Sequence, residues 1–198
     1  MEWVVIKDNF IQALLMIFEK SEKIVVEPSL NPQMLWMLIP LLTGLFIIEI
    51  YFGHYKREEL GWNSAVSNSL VLFFVGMNLF SYLSTQGILR QFSFSQGISF
   101  LGSETSLIKI FIAGFVVFEA VLLFILNFTH ALPKKFAFGI SSGLYLNFLG
   151  CISIILVYGN ISFDILLVPA ILLIFLCLVV FLGLIEAIEP TSWHTSQE

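Results

Sequence analysis

The chain has 198 residues, of which 58% are hydrophobic and 12% are charged, and its net charge is −5. Soluble domains carry about 25% charged residues, and a chain of this length could not hide so much apolar surface from water. The composition therefore excludes a soluble globular fold and predicts a protein that lies in lipid. Basic residues occur at most in adjacent pairs, which excludes nucleic acid as an expected partner.

The N-terminal segment, residues 1–33, has a mixed character. Apolar residues recur at helical spacing over residues 3–18, but four polar residues interrupt them: Lys7, Asp8, Asn9 and Gln12. A stretch this short and polar favours an amphipathic helix in the membrane interface, and a sixth membrane span is the alternative. The following residues, 21–33, contain two prolines, and we interpret them as a connector.

Five later stretches are each long and apolar enough to cross the hydrocarbon layer as a helix, which takes about 20 residues. They occupy residues 34–52, 65–85, 107–128, 136–158 and 163–188. The sequence thus predicts an all-α integral membrane protein, with a five-span bundle over residues 34–189 and a short tail over residues 190–198. Between the second and third stretches, the glycines and serines of residues 87–106 predict an interfacial segment with irregular backbone.

Lysine and arginine in short loops indicate which side of a membrane faces the cytoplasm. Loop 53–64 contains a Lys-Arg pair, and loop 129–135 contains a Lys-Lys pair. We therefore predict a multi-pass protein of the cell membrane with both loops in the cytoplasm. Lys20 and Lys23 precede the first span on the opposite side, and they weigh against this orientation.

Glu119 lies near the middle of the third stretch, where a carboxylate is costly unless it is neutralised, paired or hydrated. Asn147, Asn78 and Thr43 fall at similar depth in the fourth, second and first stretches. Together these four residues form a predicted polar layer that is suited to conducting a proton or holding a small cation. The alternative is that the Asn and Glu side chains only hold helices together, at about 1 kcal/mol for each hydrogen bond.

A second group of polar residues lies where spans end on the predicted cytoplasmic side: Glu49, His54, Asn127 and His130. Asn127 and His130 are three residues apart and share one helical face. Histidine and carboxylate groups can bind a metal or act as acid and base, but the spacing matches no metal-binding motif and no metal is predicted. The alternatives are an aromatic and basic belt at the membrane interface or a docking surface for a partner.

The sequence favours a small multi-pass protein that conducts or transports a proton or small cation through the Glu119 layer, working as an oligomer because five spans are few for a complete pathway. One alternative is a non-catalytic subunit of a larger membrane complex. A second alternative is a membrane-embedded enzyme that uses Glu49, His54 and His130. The sequence favours a role without catalysis and identifies no cofactor. The expected partners are the lipid bilayer and either further copies of the chain or other membrane subunits.

Overall fold

A computed structural model of the chain describes residues 2–54, 61–89 and 104–188. Within these ranges all regular structure is helical, and the helices are α1 (Glu2–Leu30), α2 (Pro32–His54), α3 (Trp62–Thr85), α4 (Glu104–Phe128), α5 (Lys134–Ile140), α6 (Gly143–Tyr158) and α7 (Leu167–Ile188). Most of the predicted interfacial segment, residues 90–103, and the predicted tail, residues 190–198, lie outside the described residues.

Five stretches in the described part of the chain are long and apolar enough to cross a membrane. They are Pro32–Tyr51, Trp62–Thr85, Thr105–Phe128, Lys134–Tyr158 and Leu167–Ile185. Each one coincides with a predicted stretch apart from a few residues at its ends. The predicted fold class, an all-α multi-pass membrane protein with five spans, is therefore confirmed.

The helix α1 extends further than the sequence predicts. It is continuous over 29 residues, about 43 Å, so the predicted connector over residues 21–33 is helical as far as Leu30. The break is confined to Asn31, because a residue that precedes a proline is disfavoured in the α conformation. The Asn31 side chain then caps α2 by accepting from the backbone N–H groups of Gln33 and Met34, at 3.1 and 3.3 Å.

The helix α6 is the centre of the bundle. Its residues from Cys151 to Tyr158 are all buried, because α2, α3 and α4 each pack against it. The most extensive pairing of two helices is between α3 and α4, where Gly76 lets the backbones approach closely. The helix α7 packs on α1 and α2, and most of its surface is left for lipid.

The fourth span is interrupted. The helix α5 ends at Ile140 and α6 begins at Gly143, with Ser141 and Ser142 between them. The hydroxyl of Ser142 caps α6 by accepting from the Tyr145 N–H at 3.3 Å. Non-helical backbone at this depth is tolerated only where protein or a cavity surrounds it, and Ser141 is 0% exposed.

The alternating direction of the spans gives the bundle two ends. We call one end the α4–α5 face, which holds residues 129–133 and the ends of α2 and α7. We call the other end the α6–α7 face, which holds Asn31, the end of α3 and residues 159–166.

Candidate functional site

Glu119 is bonded to a tyrosine that the sequence analysis did not single out. The Tyr145 hydroxyl on α6 donates to Oε1 of Glu119 on α4 at 2.7 Å. The second carboxylate oxygen, Oε2, is buried and makes no hydrogen bond with the described residues. An ionised Oε2 would need a donor or a cation, and a protonated one would need an acceptor. The oxygen is therefore a candidate position for binding a proton or a small cation.

The interruption of the fourth span determines where Tyr145 lies. Tyr145 belongs to the first turn of α6, and its N–H is the group that Ser142 caps. The start of α6 thus fixes the rotation of the helix that brings the Tyr145 hydroxyl to Glu119. In the sequence, the interruption is indicated by two polar residues, Ser141 and Ser142, inside an apolar stretch.

The other three members of the predicted layer make no hydrogen bond to Glu119 among the described residues. Asn78 is exposed, and its amide donates to the Phe74 carbonyl of its own helix at 3.1 Å. Thr43 is also exposed, on α2. Asn147 is buried on α6, but it follows Tyr145 by two residues and so lies roughly 200° around the helix from it. Within one chain, the structure does not bring the four side chains together.

At the α4–α5 face, Asn127 is the centre of a buried polar network. It is 0% exposed, and its Nδ2 donates to Ser141 Oγ at 2.8 Å, to Ser69 Oγ at 3.2 Å and to the Ala65 carbonyl at 3.4 Å. Asn68 adds a bond from its Nδ2 to the Ser141 carbonyl at 2.9 Å. These amides from α3 and α4 bond to the carbonyl and the hydroxyl of Ser141, where the fourth span is interrupted.

His130 ends α4, and its side chain is not part of the Asn127 side-chain network. It has a left-handed backbone, with φ of 53°. The N–H groups of His130 and Ala131 bond to the carbonyls of Asn127 and Leu126 at 3.3 and 3.0 Å, which is a Schellman motif. The exposed imidazole stacks on Trp62 with 4.2 Å between ring centroids.

Glu49 and His54 lie elsewhere on the same half of the molecule. Glu49 lines a small cavity between α2, α6 and α7, with Leu144 and Leu182 among its neighbours. His54 is the last residue of α2. Among residues 2–54, 61–89 and 104–188, no group of three His, Cys, Asp or Glu side chains is arranged to hold a metal ion.

A cleft of about 260 Å³ lies between α2 and α3, and α6 forms its floor. Its walls are apolar, with Pro40, Gly44 and Val71 among them, and its polar groups come from Asn68 and Asn147. The Asn147 side chain is 9% exposed and makes no hydrogen bond with the residues that the structure describes. Asn147 thus belongs to this cleft and not to a layer with Glu119.

On the α6–α7 face, Lys20 binds the loop between α6 and α7. Its Nζ donates to the carbonyl and the hydroxyl of Ser162, each at 2.6 Å, and to Asp164 Oδ2 at 2.7 Å. Lys20 is 8% exposed, and its hydrogen bond holds the pKa of the Asp164 carboxyl below the ordinary value of 3.8. The sequence analysis used Lys20 only to judge orientation and missed this contact.

A second pair of charged residues holds the beginning of the same loop. Glu27 Oε1 accepts from the Asn160 N–H at 2.6 Å, and Lys109 Nζ donates to the Gly159 carbonyl at 3.0 Å. Residues of α1 and α4 therefore fasten residues 159–164 from two sides. This arrangement gives Lys20 and Glu27, two charged residues of α1, polar partners in the α6–α7 loop.

No protein-family model, no curated protein and no solved structure matches the chain. The fold defines a multi-pass helical membrane protein. Glu119, with the Tyr145 hydroxyl bonded to it, is the candidate site within this bundle.

Proposed function

We propose that the protein is a channel or transporter for a proton or a small cation, in which Glu119 binds the ion and Tyr145 orients its carboxylate. One observation carries the proposal: the Oε2 of Glu119 is buried without a hydrogen-bond partner among the described residues. A carboxylate oxygen in hydrocarbon surroundings without such a partner costs free energy that a bound proton or cation offsets.

The interrupted fourth span supports the same proposal. Membrane helices are commonly broken where a transported ion or substrate binds, since the break exposes polar backbone and orients the following half-helix. Here the half-helix α6 carries Tyr145 in its first turn, and Tyr145 is the group that bonds to Glu119. The hydrogen bond from Tyr145 thus connects the start of α6, next to the interruption, with the Glu119 carboxylate.

The proposal includes an oligomer in the cell membrane, with loops 53–64 and 129–135 in the cytoplasm. Asn78 and Thr43 face outward from the single chain, so a neighbouring copy or another membrane subunit would be needed to bring them into a continuous polar path. The Lys-Arg and Lys-Lys pairs of the two loops support the orientation.

The test is ion flux into proteoliposomes that contain the purified protein in its native oligomeric state. Glu119→Gln keeps the shape of the side chain and removes its capacity to ionise, so flux should fall to that of protein-free liposomes. Tyr145→Phe removes one hydrogen bond to the carboxylate, and flux should fall about tenfold, the factor that corresponds to about 1.4 kcal/mol.

Glu22→Gln is the matched control, because it makes the same chemical change at an exposed position of α1. It should leave flux unchanged. Full flux through Glu119→Gln would contradict the proposal. Wild-type protein without flux, recovered together with other membrane proteins, would instead favour a non-catalytic subunit of a larger complex.

A further inference from the structure

We propose that the cleft between α2 and α3 binds a neutral lipid that carries a hydroxyl or carbonyl group. The proposal goes beyond ion transport, because the cleft lies on the face of α6 that turns away from Glu119. Three observations support it: the position of the cleft, the absence of charge among the residues that line it, and an Asn147 amide without a hydrogen bond among the described residues.

The cleft is accessible from the bilayer. The helices α2 and α3 both pack on α6 and leave a gap between them. Pro40 and Val71, which line the gap, are exposed on the outer surface of the bundle. A volume of about 260 Å³ is too small for a helix, whose diameter with side chains is about 10 Å, but it suits a segment of a lipid chain with one polar group.

Asn147 supplies the polar recognition. Asn147 is 9% exposed and lines the cleft, and its amide makes no hydrogen bond in the described part of the chain. A polar group of a bound lipid would supply that hydrogen bond. The Asn147 Nδ2 lies toward Gly143, at 3.8 Å from where a β-carbon of that residue would be. Asn68 lies at the same cleft, although its own Nδ2 is already bonded to the Ser141 carbonyl.

The absence of charge selects the class of lipid. None of the residues that line the cleft is charged, and Asn147 lies near the middle of its span. A charged headgroup drawn to that depth would lose its hydration without gaining a counter-ion. A hydroxyl or ester carbonyl needs only a hydrogen bond, which the amide provides.

The experiment is photocrosslinking in nanodiscs of phosphatidylcholine that contain a small fraction of diazirine-labelled diacylglycerol. Peptide mapping by mass spectrometry then locates the label. Labelling should concentrate on the cleft walls of α2 and α3, and diazirine-labelled phosphatidylcholine with the same chains should label them less. Asn147→Ala should lower the labelling about fivefold, which corresponds to the loss of about 1 kcal/mol of binding free energy.

Gly44→Leu provides a second variant that fills the cleft. A β-carbon at Gly44 would meet no atom within 4 Å, so a side chain placed there starts in the open space of the cleft, and leucine should abolish the labelling. Gly114→Leu is the matched control, since Gly114 on α4 also has open space around it and does not line the cleft. Unchanged labelling in both Gly44→Leu and Asn147→Ala, or equal labelling by the two lipids, would overturn the proposal.

Discussion

Asn127→Ala tests whether the buried network at the α4–α5 face holds the interrupted span in place. The substitution removes the amide that bonds to Ser141, Ser69 and the Ala65 carbonyl. Ser69 keeps its own bond, because its hydroxyl donates to the Ala65 carbonyl at 2.8 Å. The Ser141 hydroxyl loses the only side chain that bonds to it among the described residues.

The expected loss of stability follows from three contributions. Side-chain hydrogen bonds between membrane helices average about 0.6 kcal/mol each, and the Nδ2 group of Asn127 has two hydrogens to share among its three acceptors, so its bonds represent about 1 kcal/mol. The cavity left by truncating a fully buried side chain adds about 1 kcal/mol. The buried Oδ1 of Asn127 has no partner among the described residues, and removing it returns about 1 kcal/mol. The net destabilisation is therefore about 1 kcal/mol.

The assay is reversible unfolding of the protein in mixed micelles by added SDS, which gives a free energy of unfolding for each variant. Asn78→Ala is the control, because Asn78 is exposed and bonds only to its own helix. It should change the free energy of unfolding by less than about 0.5 kcal/mol. If Asn78→Ala destabilises the protein as much as Asn127→Ala, the distinction between the buried network and the exposed asparagine is wrong.

Two further predictions concern other parts of the bundle. Gly76→Ala would place a β-carbon 2.5 Å from Val117 Cγ2 and should destabilise the protein by about 1–3 kcal/mol. Gly114→Ala is the control, because Gly114 has open space around it, and it should not destabilise the protein. Unfolding by SDS measures both variants, and equal losses of stability would contradict the close approach of α3 and α4. The lowered pKa of Asp164 means that its stabilising contact with Lys20 is present above pH 3.8 and is lost as the pH falls through the folded-state value. The difference in melting temperature between wild type and Asp164→Asn should therefore shrink in acid. A difference that stays constant would contradict a stabilising contact between Lys20 and the ionised Asp164 carboxylate.

The spans were predictable because their signal is local. A helix in lipid must satisfy its backbone within the segment, so the length of each apolar stretch alone predicts an element such as α3 or α4. The extent of α1 was not predictable in the same way. Pro28 and Pro32 suggested a connector over residues 21–33, and only the position of the α6–α7 loop shows that Lys20 and Glu27 have partners there.

The contacts of Glu119 were harder to predict because depth along a span does not specify the helical face. Asn147 and Tyr145 lie at nearly the same depth, but the bond to Glu119 comes from Tyr145. Depth and polarity together favoured Asn147 over Tyr145 as a neighbour of Glu119. The rotation of α6 decides between them, and that rotation depends on packing against α2, α3 and α4.

The rotation of α6 also gives a physical reason for the polar residues around the interruption. Successive residues of a helix are about 100° apart, so a register error of one residue would turn Tyr145 away from Glu119 and Asn147 away from its cleft. Packing against α2, α3 and α4 contributes to this rotation, although apolar cores tolerate substitutions that conserve volume. Hydrogen bonds from Asn68 and Asn127 to Ser141 are directional, and they fix the chain immediately before α6 begins. The network of Asn68, Asn127 and Ser141 thus helps to orient α6 for both the Glu119 site and the cleft at Asn147, although none of its side chains bonds to Glu119.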